Sequence, residues 1–127
     1  MGPKRSILIV DDDRATCLMV KMLLDRTGLY AVTICTRGSK AFGIVQETRP
    51  DLVLLDIMMP DTDGTDIADQ IKNDKSLAHT KVVFLTSLVS QKEVHRHAVI
   101  GGRAFISKPF SDEVLLQRVK ELFEVGS

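Results

Sequence analysis

The sequence predicts a doubly wound α/β domain built on a five-stranded parallel sheet. Three observations point there. Five short apolar runs alternate with five segments of helical composition. The runs are continuously apolar, as strands covered on both faces are. No repeat, linker or low-complexity stretch interrupts the series. With 127 residues, the chain has the length of one domain, and we expect 1–127 to form a single unit with its core at about 6–124.

Taken in order, Ser6 to Val10 is a short aliphatic strand that runs into Asp11, Asp12 and Asp13. Arg14 to Thr27 has helical composition and stops at Gly28, a residue suited to the left-handed position after a helix. Tyr30 to Cys35 is strand-like, and Ser39 to Thr48 is helical until Arg49-Pro50, where proline forbids continuation. Asp51 to Leu55 is a second aliphatic strand, closed by Asp56. A turn-rich stretch leads to a helix over Gly64 to Asn73, with Asp63 or Thr65 as its cap. Lys81 to Leu85 is a strand ending in Thr86-Ser87, and Ser90 to Ile100 is a fourth helix stopped by Gly101-Gly102. Ala104 to Ser107 is the fifth strand, followed by Lys108-Pro109. Ser111 caps a fifth helix reaching Glu124, with Val114, Leu115, Val119, Leu122 and Phe123 as its apolar stripe.

Bulk chemistry narrows the function. Seventeen basic residues balance seventeen acidic ones, which removes the nonspecific electrostatic case for nucleic acid or anionic lipid. Cys17 and Cys35 lie in apolar segments without metal-ligand spacing and read as reduced core thiols of an intracellular, cytoplasmic protein. No apolar run approaches the ~20 residues that span a bilayer. Met1 to Ser6 matches a loose myristoylation pattern, but Pro3 follows the glycine at once and Ser6 already enters the first strand. A chance match is the expectation, and both chain ends are compatible with a domain cut from a longer protein.

Every chemically suggestive residue falls just after a strand. In a parallel sheet those carboxyl ends share one edge, where ligands bind. The first strand delivers Asp11, Asp12 and Asp13, the third Asp56, the fourth Thr86 and Ser87, the fifth Lys108. Clustered carboxylates suit a hard divalent cation such as Mg²⁺, which keeps waters for a substrate phosphate. A lysine and a hydroxyl opposite suit the oxygens of a transferring phosphoryl group. Taken singly each residue has an ordinary explanation: Asp13, just before Arg14, is the expected helix N-cap. The combination points to phosphoryl chemistry.

The stretches "ILIVDDD", "DLVLLDIMMPDTDG", "VVFLTS" and "FISKPF" resemble, in order and spacing, the signatures of two-component response-regulator receiver domains. The resemblance runs from about Ser6 to Phe123 and implies a flavodoxin-like sheet of order 2-1-3-4-5. It implies that Asp56 is the phosphoacceptor, Asp12 a direct Mg²⁺ ligand and Asp11 a ligand acting largely through water. By the same resemblance, the backbone carbonyl of Met58 completes the metal shell, Thr86 is the switch hydroxyl, Lys108 pairs with the phosphoryl group and Phe105 holds the aromatic switch position. The Lys108-Pro109 bond would be cis. The implied donor is the phosphohistidine of a kinase or phosphotransfer protein. The implied output is a changed surface on the fourth helix, fifth strand and fifth helix, with phosphorylation-driven homodimerisation known in the family. Phe105 departs from the tyrosine many members carry; without a hydroxyl it should favour the inward state.

Other readings compete. "ILIVDDDRAT" also fits the opening of haloacid-dehalogenase-type phosphatases, with Asp11 as nucleophile and Asp13 as acid. Their closing acidic motif is missing: Asp112-Glu113 lie in the first turn of a helix. A calcium loop at Asp61 to Asp66 fails because, with Gly64 at the sixth position, Met59 and Gln70 would fall at the first and twelfth. His95 and His97 are i,i+2 on a predicted helix, point to different faces and read as solvated. A receiver-like binding module that no longer phosphorylates gains little support, since every essential residue is present.

The first helix suggests a surface. Cys17 to Leu24 is apolar almost all round; Val20, Leu23 and Leu24 suffice to cover the sheet, which leaves Leu18 and Met22 outside. We expect these two to form a small apolar docking patch for the phosphodonor, as the corresponding helix does in the family.

Overall fold

A computed structural model describes residues 4–87, 99–100 and 103–124. Strands β1 (Arg5–Val10), β2 (Tyr30–Cys35), β3 (Leu52–Leu55), β4 (Lys81–Thr86), β5 (Val99–Ile100) and β6 (Arg103–Ser107) form one sheet. Helices α1 (Arg14–Asp25), α2 (Gly38–Thr48), α3 (Gly64–Lys72) and α4 (Asp112–Glu124) cover it, with a 3-10 turn at Lys75–Leu77. The order is β2-β1-β3-β4-β6-β5. Its first five members are all parallel, as predicted, and correspond to the expected 2-1-3-4-5.

The continuous apolar character of the strands now has its explanation. On one face Ile7, Ile9, Leu52, Leu54, Val83, Leu85 and Ile106 pack under α1 and α4. On the other, Leu8, Val10, Val53, Leu55, Phe84 and Phe105 pack under α2 and α3. Successive side chains alternate faces, so a strand buried on both sides must be apolar at every position. Cys17 joins the first layer and Cys35 the second, so the sheet separates them and both are free thiols.

One element differs from the prediction. Val99 and Ile100, expected as the last turn of the fourth helix, pair antiparallel with Ala104 and Arg103. Two β-branched residues followed by Gly101-Gly102 have the composition of a tight hairpin, and an open sheet edge supplies the partner. The remainder of that predicted helix, with His95 and His97, lies outside the described residues, as do Leu88 before it and Met1 to Pro3. Four helices are therefore present among the described residues, against five expected.

Local signals set the other boundaries. Asp13 caps α1 by accepting from the Ala15 amide, and Asp63 caps α3 by accepting from Thr65. The chain leaves α1 through Gly28 at φ 71°, a left-handed position that costs glycine nothing. Arg49 takes φ 49° at the end of α2, just before Pro50.

Candidate functional site

The ends of β1 and β3 bring two acids together through the backbone. Val10 and Leu55 are partners in register, and the Asp56 amide donates to the Val10 carbonyl at 2.8 Å. On the other side the Asp11 amide donates to the Cys35 carbonyl at 3.1 Å. These bonds carry the ladder one residue beyond the strands, so Asp11 and Asp56 stand side by side. Asp11 is wholly buried and Asp56 is 7% exposed. Asp12 lies at the exposed rim, and carboxylate oxygens of Asp11, Asp12 and Asp56 fall within 4.8 Å of one another.

The three consecutive acids divide their work. Asp11 Oδ1 accepts the Asp13 amide at 2.9 Å, while its Oδ2 meets Lys108 Nζ at 2.5 Å. Asp13 accepts from the Ala15 amide and the Thr16 hydroxyl as the α1 cap, and the hydroxyl above all holds its carboxyl below the usual range. Asp12 is left facing the cluster from solvent. Asp13 is thus committed to helix capping, which removes the acid that a dehalogenase-type reading requires.

Lys108 arrives from the other side of the sheet, directly after β6 and before a cis Lys108-Pro109 bond. Its amine lies 3.8 Å from Asp56 Oδ2 as well as beside Asp11. One lysine does not balance three carboxylates. Burial, and then the neighbouring charge of Asp11, push the Asp56 carboxyl up to about 6, against the lowering pull of Lys108. Clustered hard oxygen donors with an excess of negative charge fit a hard divalent cation of the Mg²⁺ type.

The other predicted residues fall as follows. The main chain of Thr86 closes β4 opposite Ser107, and its side chain lies outside the described residues. Met58 follows Asp56 by two residues; its side chain points out, 65% exposed, and its backbone bridges Asp63. Phe105 is inward, 3% exposed, in the second core layer. On α1, Leu18 and Met22 are 46% and 47% exposed. A cleft of about 340 Å³ lined by Thr16, Met19, Ser87, Lys108, Pro109 and Phe110 opens beside the lysine.

Two contributors escaped the sequence reading. Met19, also exposed, stands on that cleft and extends the apolar face of α1 toward the acids; its helical spacing from Thr16 was the available signal. The Cys17 thiol donates to the Asp11 carbonyl at 3.2 Å, tying the buried acid to α1. Burial pushes that thiol up to about 11, so it stays protonated as a donor.

Comparison with known proteins agrees with this arrangement. Residues 7–120 match the family model described as the response regulator receiver domain. The polar-differentiation response regulator DivK of Brucella anthropi is 32% identical over 117 residues, covering 91% of this chain and 94% of DivK. The signal receiver domain of a DNA-binding response regulator from Colwellia psychrerythraea superposes with a TM-score of 0.80 at 28% identity, covering 95% of this chain and 99% of that one. The BeF3-activated receiver domain of DrrB, a Thermotoga maritima protein, gives 0.77 at 31% identity, with 96% and 99% covered.

Proposed function

The chain belongs to the response-regulator receiver family, and on that premise we propose that it takes a phosphoryl group from a phosphohistidine onto Asp56 and signals through a changed surface. The observation that carries this reading is the meeting of Asp56, Asp11 and Lys108 at one sheet edge from three distant parts of the sequence. An exposed chain of acids alone would carry far less.

Asp56 is the nucleophile. One carboxylate oxygen attacks phosphorus, a P–O bond forms, the P–N bond to the donor imidazole breaks, and that nitrogen leaves with the electron pair. Lys108, already 3.8 Å from Asp56 Oδ2, pairs with the oxygens of the arriving group. Bound Mg²⁺ would neutralise charge on those oxygens. Asp12, Asp56 and the Met58 carbonyl are the residues that would hold it, with Asp11 acting largely through water because its two oxygens already serve Lys108 and the Asp13 amide. Water later attacks phosphorus, releases phosphate and regenerates the carboxylate. The protein is thus a signalling phosphoacceptor rather than a conventional enzyme.

The output runs from the Thr86 hydroxyl and Phe105 to β6, α4 and segment 88–98. The proposal extends to homodimerisation through that surface on phosphorylation, which the resemblance to the family brings with it. The donor is a histidine kinase or phosphotransfer protein, docked on Leu18, Met22 and the neighbouring Met19, whose exposed apolar side chains lead to the cleft beside Lys108. No helix among the described residues is long and apolar enough to cross a membrane; we place the protein in the cytoplasm, with 1–127 as one receiver unit.

Incubation with acetyl phosphate and Mg²⁺, read by intact mass, tests the proposal. One hydroxylamine-labile phosphoryl group should appear and be absent with EDTA or in Asp56→Asn. A hydroxylamine-stable gain, or one unaffected by EDTA, would overturn it.

A further inference from the structure

The loop between β3 and α3 carries Met58 and is held at three points, its neck, its middle and its tip. Its neck is closed by the Gly64 amide donating to the Ile57 carbonyl at 2.7 Å and by the Met58–Asp63 bridge. Its middle is pinned by Met59, buried in the same core layer as Ala41 and Val45 of α2. Its tip is held from outside: Asp61 Oδ2 accepts the amide of Ser39 at 2.9 Å.

Ser39 is the second residue of α2, and Arg37, at the N-cap position of that helix, makes no side-chain cap. A free N–H at that position needs an acceptor. Asp61 supplies it from a loop 22 residues further along the chain, and this amide above all holds its carboxyl below the usual range. The fit is close. A Cβ on Gly38 would lie 2.1 Å from Thr62 Cγ2 and 3.0 Å from Met59 Cε, so the bare first residue of α2 is what lets the loop rest there.

We propose that Asp61 is a positioning residue: by capping α2 across the loop, it fixes the Met58 carbonyl relative to the carboxylates of Asp11, Asp12 and Asp56. This rests on the receiver reading of the site. It adds that metal affinity depends on a side chain that touches neither metal nor phosphoryl group, as outer contacts of metal sites commonly do.

The test compares Asp61→Ala and Asp61→Asn with Asp74→Ala, which removes a similar cap from the 3-10 turn preceding β4, at the opposite end of the sheet. Mg²⁺ affinity is read by titration calorimetry, and amide hydrogen exchange over 57–64 is read without metal. Asp61→Ala should weaken Mg²⁺ binding roughly tenfold, the low end for outer-shell partners, and speed exchange across the loop. Asp61→Asn keeps an acceptor oxygen and should restore most of both, while Asp74→Ala should leave both unchanged. Unchanged affinity and exchange in Asp61→Ala, or an asparagine variant no better than alanine, would overturn the assignment. If the natural chain takes up no Mg²⁺, the receiver reading has failed and the metal-positioning role falls with it; exchange then still reports whether Asp61 holds the loop.

Discussion

Replacing Asp56 with asparagine should make the metal-free protein more stable, although it removes the group on which the function depends. Asp56 is buried beside the charge of Asp11, and its carboxyl is raised from 3.8 to about 6. The folded state therefore binds this proton more tightly than the unfolded state. Its contribution to stability is fully present below pH 3.8 and is lost as pH rises through about 6. At about 1.4 kcal/mol per tenfold change in affinity, the ionised carboxylate costs the folded protein about 3 kcal/mol at neutral pH. Asparagine carries no charge at any pH and removes that cost. For a domain of this size the gain corresponds to a rise in Tm of roughly 10 °C. The assay is thermal unfolding of both proteins in EDTA at low salt, at about pH 7.5 and again at about pH 4, where the difference should nearly vanish. Equal or lower stability of Asp56→Asn at the higher pH would refute the reasoning. So would a gain of the same size at both.

Other substitutions probe the neighbouring contacts. Lys108→Met leaves the wholly buried Asp11 carboxylate without its partner at 2.5 Å; urea unfolding in EDTA should show a loss of about 3 kcal/mol, and added Mg²⁺ should recover part of it. Gly64→Ala places a Cβ 2.2 Å from the Asp56 carbonyl oxygen and 2.8 Å from Ile57 Cα, backbone atoms that cannot step aside. It should cost more than about 2 kcal/mol in the same assay and slow phosphorylation with it. Leu18→Ser changes a side chain that is 46% exposed, so unfolding should move by no more than about 0.5 kcal/mol. Phosphotransfer from the cognate phosphohistidine partner should nevertheless slow, and an unchanged rate would remove Leu18 from the docking surface.

The parts of the site that were legible in the sequence are those that follow from position along the chain. A charged residue just after an apolar strand of a parallel sheet lies at the carboxyl edge whichever way the strands are ordered, which located Asp11, Asp56 and Lys108. Asp13 was readable as a cap because it stands immediately before the helical run. Strand order was not contained in hydrophobic pattern and came from the resemblance. What stayed hidden depends on a partner distant in sequence. Val99 and Ile100 are strand only because β6 offers an edge. Asp61 reads as an ordinary turn residue until α2 is found resting against it. Lys108 was expected to face a phosphoryl group, and its closer engagement with Asp11 than with Asp56 follows from the relative depth of the two acids, a quantity no spacing encodes.

The claim on which the rest depends is that phosphorus becomes attached to one carboxylate oxygen of Asp56. After phosphorylation with Mg²⁺, reduction with borohydride converts an acyl phosphate to an alcohol, and peptide mass mapping then finds the altered residue. Homoserine at position 56, confined to the phosphorylated sample, is the predicted result. A modified residue elsewhere, at Asp11, Asp12 or any histidine, with Asp56 untouched, would contradict the account.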